Sequence, residues 1–254
     1  YWWKGGAFVT FNDKSLSPAV IAQNAATAAL IARGAKSFAV PAFCAAQDRA
    51  VAVGSGSLGT GRFALAAGKA ESFRVSPRMD AATVDLAVRV LDEMKLGQGP
   101  ATDLFSVSLS ASDYIGHAFG PGGLEECIQV AELDKAIGRL FAALDARKID
   151  YTVVLSADHG GPDVVERQEL QAYPQAERVD DALMPGALAK AITAATGIAA
   201  PSGPLLYSDG PFGDFYIARN LDAAQKAKVQ AALVDLVRAH PQVAAAFTAQ
   251  ELAA

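Results

Sequence analysis

Cysteine, histidine and positive charge are all scarce in this sequence, and each shortage closes a class of function. Two cysteines, Cys44 and Cys127, are too few for a disulfide scaffold. They form one bridge if the protein is exported, or stay as two small buried hydrophobes. Lysine and arginine number 22 against 27 acidic residues, a net charge of −5. That balance lacks the basic footprint of a nucleic-acid polymer binder and the polybasic patch that holds a protein on a membrane. No apolar run reaches the roughly eighteen residues needed to cross a bilayer. Apolar side chains are not lacking: at 52% hydrophobic and 19% charged over 254 residues, the composition is globular and can bury a real core. Tyr1 stands first in place of Met with no secretory leader behind it, so a piece of a longer chain is expected.

Helix and strand signals alternate. Ser17, Pro18 and Gly34 mark the start and stop of one helix. Ser37–Val40 reads as a short strand, and residues 42–80 as loops with a hairpin. A second helix is expected from an Asp80 cap to about Leu96. Leu104–Leu109 reads as an apolar strand, Ser110–Gly123 as a glycine-rich loop, Leu124 to about Arg147 as a long helix, and Tyr151–Ser156 as a second apolar strand. Strand, loop, helix, strand is a βαβ unit. Further on come a helix near Ala187–Thr196, extended pieces at Leu205–Leu206 and Asp214–Ala218, and a helix from Asp222 to before Pro241. The expected fold is one α/β domain over 1–254, with a mostly parallel sheet, helices on both faces, and a place inside a larger catalytic domain.

Three histidines are present, His117, His159 and His240. Two stand beside aspartates in patterned places: Asp113 and His117 as D-x-x-x-H, Asp158 and His159 as an adjacent pair. Each set follows the C-terminal end of an expected strand, the edge where open α/β sheets bind ligands. Imidazole with carboxylate suits zinc and similar ions, and two half-sites side by side suit a two-metal clamp on phosphorus. Taken singly, either pair is also what a turn or a strand end uses. His240, before Pro241, reads as a helix-terminal polar group. Glu166, Arg167 and Glu169 read as a solvated surface. Asp209-Gly210-Pro211-Phe212-Gly213-Asp214 reads as a plain turn. Gly54-Ser55-Gly56-Ser57-Leu58-Gly59 matches the dinucleotide fingerprint, but no helix starts in it, and a hairpin turn or loop is expected instead.

Ser110-Ala111-Ser112-Asp113-Tyr114-Ile115-Gly116-His117, followed by Gly120-Pro121, resembles the S-x-T-D-x-x-G-H-x-x-G-P segment of the alkaline phosphatase superfamily. Val153-Val154-Leu155-Ser156-Ala157-Asp158-His159-Gly160 is similar to its V-V-x-x-A-D-H-G segment. The closest branch is the type I phosphodiesterase/nucleotide pyrophosphatase group, which includes bacterial alkaline phosphatases with a threonine nucleophile. The resemblance implies a two-zinc hydrolase of small-molecule phosphate esters. Asp113 and His117 would hold one zinc, and Asp158 and His159 the other, beside the nucleophile. It implies attack by Thr or Ser, a covalent phospho-enzyme, then hydrolysis by activated water. Periplasmic or secreted location is implied as well. Ser112 stands where the family has threonine. The family's upstream Asp ligand, its Thr or Ser nucleophile, its Lys-x-Arg phosphate grip and its last His-Gly ligand have no counterpart. The chain is therefore expected to carry no catalytic nucleophile, to need flanking segments of the same protein, and to be inactive alone. The alternatives are phosphodiester or nucleotide pyrophosphate cleavage, and a non-catalytic metal- or phosphate-binding relative.

Overall fold

The computed structural model describes residues 1–171, 173–211 and 213–253; Phe212 of the turn-rich stretch lies outside them. The chain divides into two compact units, residues 1–176 and 177–254, where the sequence reading placed one domain.

In the first unit, strands β1 (Trp2–Lys4) and β2 (Ala7–Val9) form an antiparallel hairpin. Helix α1 (Pro18–Arg33) starts with proline in its first turn and stops at Gly34, whose φ of 71° a side chain would resist. Strands β3 (Val51–Val53) and β4 (Gly56–Leu58) pair antiparallel around Gly54 and Ser55. The G-x-G-x-x-G stretch is thus a hairpin with its turn, as expected. A short α2 (Ala70–Arg74) precedes α3 (Pro77–Met94), which begins at Pro77 behind a Ser76 cap position. Met79, Ala82, Leu86 and Val90 recur on its buried face at helical spacing. Helices α4 (Ala111–Phe119), α5 (Leu124–Ala146) and α6 (Val165–Glu169) follow. α3 and α5 pack together, and α1 and α4 each join this pair. Val20, Phe73, Ile115, Leu124 and Ile128 fill the core between them. Cys44 and Cys127 are joined by a disulfide that ties the 3₁₀ turn Ala42–Gln47 to α5.

The second unit holds α7 (Pro185–Thr196), the antiparallel pair β5 (Leu206–Tyr207) and β6 (Tyr216–Ile217), α8 (Ala223–Ala239) and α9 (Ala249–Leu252). α8 opens with a reciprocal capping box between Asp222 and Gln225. Leu188, Ile192, Leu206, Val229 and Leu233 make its separate core.

Helices α1, α3, α5, α7 and α8 follow the sequence reading, and β5 and β6 lie at the expected extended pieces 205–206 and 214–218; the expected parallel strands do not form. The described residues form three two-stranded antiparallel sheets and no parallel sheet. Residues 104–109 and 151–156 belong to no helix or strand and enter no ladder. Leu104 is 96% exposed and Val154 89%. An apolar run records what a strand would bury, but a strand exists only where a neighbour accepts its backbone hydrogen bonds. No described segment supplies that neighbour. The expected strand at Ser37–Val40 is likewise absent.

Candidate metal centre

The stretch 110–123, expected to be all loop, contains α4, and this helix presents two of the four candidate ligands. Its cap position, Ser110, gives the helix no side-chain cap; the Ser110 hydroxyl pairs with that of Ser108 at 2.9 Å instead. The missing acceptor comes from another helix: Asp80 Oδ1 of α3 accepts from the Ala111 N–H at 3.0 Å. Asp80 was expected to cap its own helix; it lies inside the first turn of α3 and caps α4 instead. Its other oxygen accepts from Gln129 Nε2 of α5 at 2.7 Å, and the same nitrogen reaches Ser112 Oγ at 3.2 Å. Asp80 and Gln129 are both fully buried. This network fixes the start of α4 two residues before Asp113.

One helical turn separates Asp113 from His117, so both side chains share a face. His117 Nε2 lies 3.4 Å from Asp113 Oδ1. The second pair arrives on the irregular segment after residue 156. His159 Nε2 lies 3.5 Å from Asp113 Oδ1 and 3.6 Å from Asp158 Oδ2. His117 and His159 therefore both approach the Asp113 carboxylate, and Asp158 joins the group through His159. His159 Nδ1 is 2.9 Å from the Gly160 carbonyl. With Nδ1–H donating there, Nε2 is the nitrogen turned to the carboxylates, the arrangement that orients a ligating imidazole. The Gly160 carbonyl, then Asp158 and Asp113, raise the His159 pKa above its ordinary value.

The donor set fits zinc in kind. Two ligands of one tetrahedral ion, each about 2.0–2.1 Å from it, lie roughly 3.4 Å apart, which matches the nitrogen–oxygen separations here. It fits only in pairs: among the described residues no group of three or more ligand-type side chains is arranged to hold one ion. The site is open, with the His117 side chain 76% and that of Asp158 84% exposed.

Beneath the site lie carboxyl groups that the sequence reading did not single out as partners of the site. Burial pushes Asp80 above its usual range, against the pull of its two hydrogen bonds. Burial likewise lifts Glu126 to about 7, opposed by a hydrogen bond with Ser112 and helped by the Asp80 charge. Glu125, fully buried, accepts from the Gly61 N–H at 2.9 Å. Arg167, expected on a solvated surface, is 3% exposed and pairs with Asp163. Its burial could not be read from an acidic-basic string. His240 sits in the second unit at the end of α8, with Nε2 3.5 Å from Asp180.

With this geometry in view, the relatives are informative. A family model described as type I phosphodiesterase / nucleotide pyrophosphatase matches residues 2–247. Alkaline phosphatase PhoK of Sphingomonas sp is 44% identical over 255 residues, covering 100% of this chain and 45% of that protein. Alkaline phosphatase PhoD of Zymomonas mobilis is 45% identical over 215 residues, covering 84% and 37%. The chain thus spans less than half the length of these relatives. The crystal structure of wild-type alkaline phosphatase PafA superposes with a TM-score of 0.72 at 21% identity, over 94% of this chain and 47% of that one. It shares the α/β fold of that enzyme. The chain belongs to the type I phosphodiesterase/nucleotide pyrophosphatase family, within the alkaline phosphatase superfamily.

Proposed function

We propose that this chain is the part of a two-zinc phosphate-ester hydrolase that supplies two half-sites, Asp113 with His117 and Asp158 with His159. The observation that carries the reading is the approach of His117 and His159, from two separate segments, to the Asp113 carboxylate, with Asp158 beside His159. Zinc, when bound, would polarise the phosphoryl oxygens and activate water, a Lewis-acid role. The chain's own part is to orient: α4 holds Asp113 and His117 one turn apart, and the Gly160 carbonyl turns His159 Nε2 inward. Two donors per ion fall short of the three or four that zinc takes. The remaining ligands, the Thr or Ser nucleophile and the phosphate grip come in this reading from flanking segments of the same protein. The exposed apolar segments at 104–109 and 151–156 support it, since flanking strands would cover them. The substrate is a small-molecule phosphate monoester, as the names of PhoK and PhoD suggest. The disulfide supports a periplasmic or secreted location, because such bonds persist in oxidising compartments. The family model's description favours a second reading, phosphodiester or nucleotide pyrophosphate cleavage.

The test is hydrolysis of p-nitrophenyl phosphate and of bis(p-nitrophenyl) phosphate by the longer protein and by this chain alone. Activity in the longer protein should fall by at least about a hundredfold in Asp158→Ala and vanish on chelation, and the 254-residue chain should turn over neither ester. Turnover by the short chain that Asp158→Ala abolishes would overturn the partial-site claim. Faster cleavage of the diester would select the second reading.

A further inference from the structure

The Asp158–His159 pair reaches the α4 pair on a segment, residues 151–164, that belongs to no helix or strand. Exposed side chains on irregular backbone do not hold a 3.5 Å register by themselves. The structure carries an anchor four residues beyond His159. Asp163 accepts from Arg167 Nη1 and from the Val164 N–H at 2.8 Å, while Arg167 Nη2 donates to the Phe119 carbonyl at 3.1 Å. Phe119 is the last residue of α4, two positions after His117. The Arg167 side chain is 3% exposed and that of Asp163 12%.

The seat of this pair is the Gly120-Pro121-Gly122-Gly123 turn. A Cβ on Gly120 or on Gly122 would fall inside the van der Waals shell of the Asp163 carboxylate, and one on Gly123 would stand 2.9 Å from Arg167 Nη2. Asp163 Oδ2 is buried with no hydrogen-bond partner, so the fit of the carboxylate into the glycines, and not saturation of its lone pairs, sets its place. A buried ion pair is a poor source of stability, and its best-attested use is to fix register. We infer that the Asp163–Arg167 pair in its glycine seat is a positioning device, which holds the Asp158–His159 segment against the C-terminal end of α4 and so sets the separation of the two half-sites. The inference rests on the metal reading above only for its purpose; the geometry can be tested without metal.

Two variants of this chain serve. Gly122→Ala keeps both charges and, at a position without positive φ, displaces the carboxylate by its methyl group. Asp163→Asn keeps the shape and removes the charge. The metal-free readout is the imidazole NMR signals of His117 and His159 and their response to Asp113→Asn. In the unaltered chain both histidines should respond. In each variant the His159 response should be lost while the His117 response, internal to α4, persists. Persistence of both responses would overturn the inference. Loss of both in both variants would also overturn it, in favour of a purely structural role. The second readout is zinc affinity by chelator competition, expected to fall about tenfold to a hundredfold, the range seen when groups behind a ligand are disturbed. Unchanged affinity would count against the device. Failure of the unaltered chain to take zinc would instead defeat the metal reading and leave the device to be judged by NMR.

Discussion

Glu126 stands in the first turn of α5, where the helix N-terminus favours a negative charge, yet burial wins and lifts its pKa to about 7. Between its ordinary value of 4.5 and about 7 the folded state keeps a proton that the unfolded chain has released. Stability therefore falls as pH rises through that window. Asp80, also raised by burial from its ordinary value of 3.8, contributes a slope of the same sign that starts at that lower pH. Glu126→Gln should flatten most of this fall, as read from urea midpoints at a series of pH values from 4 to 8, roughly spanning the window. An unaltered slope would place the titration elsewhere. The four candidate ligands were legible because their spacing is local: one helical turn between Asp113 and His117, none between Asp158 and His159. Asp80 and Arg167 were not. Whether an aspartate caps its own helix or a neighbour's, and whether an arginine among glutamates is solvated or buried, depends on contacts far along the chain.

Helices were legible as elements because each carries its own hydrogen bonds, its stop signals and its buried stripe. Pro18, Gly34 and the spacing in α5 are sufficient locally. α4 escaped because its cap is borrowed from α3 and Gly116 sits in its middle. The two apolar runs at 104–109 and 151–156 were read as strands on composition, but pairing is a property of two segments. The link between Ala42–Gln47 and α5 is an element-scale feature too. It closes a loop with a sequence separation of 83, and Cys44 is fully buried beneath it. Replacing both cysteines by alanine should cost about 2–5 kcal/mol, mostly through a freer unfolded chain, measured by urea unfolding without reductant. A loss well below about 1 kcal/mol would mean that helix packing alone holds this turn.

At the scale of the whole molecule, two cores lie in two units, and the α/β fold was legible in the sequence. Alternation of helix and strand says which elements exist, but not where contacts thin out between them. The disulfide gives the first unit a further character, that of a covalent ring. The ring runs from Cys44 to Cys127 and contains the β3–β4 hairpin, α2, α3 and α4. Residues 54–57 at the tip of that hairpin are exposed, the kind of site where proteases nick first. One cut there opens the ring without dividing the molecule. A broad-specificity protease in limited amounts should give a product that migrates as one band without reductant and as two with it. Two bands without reductant would show that the bridge is not closed. Closed, it lets the chain lose a peptide bond and still carry α1 and the four clustered side chains on one covalent body.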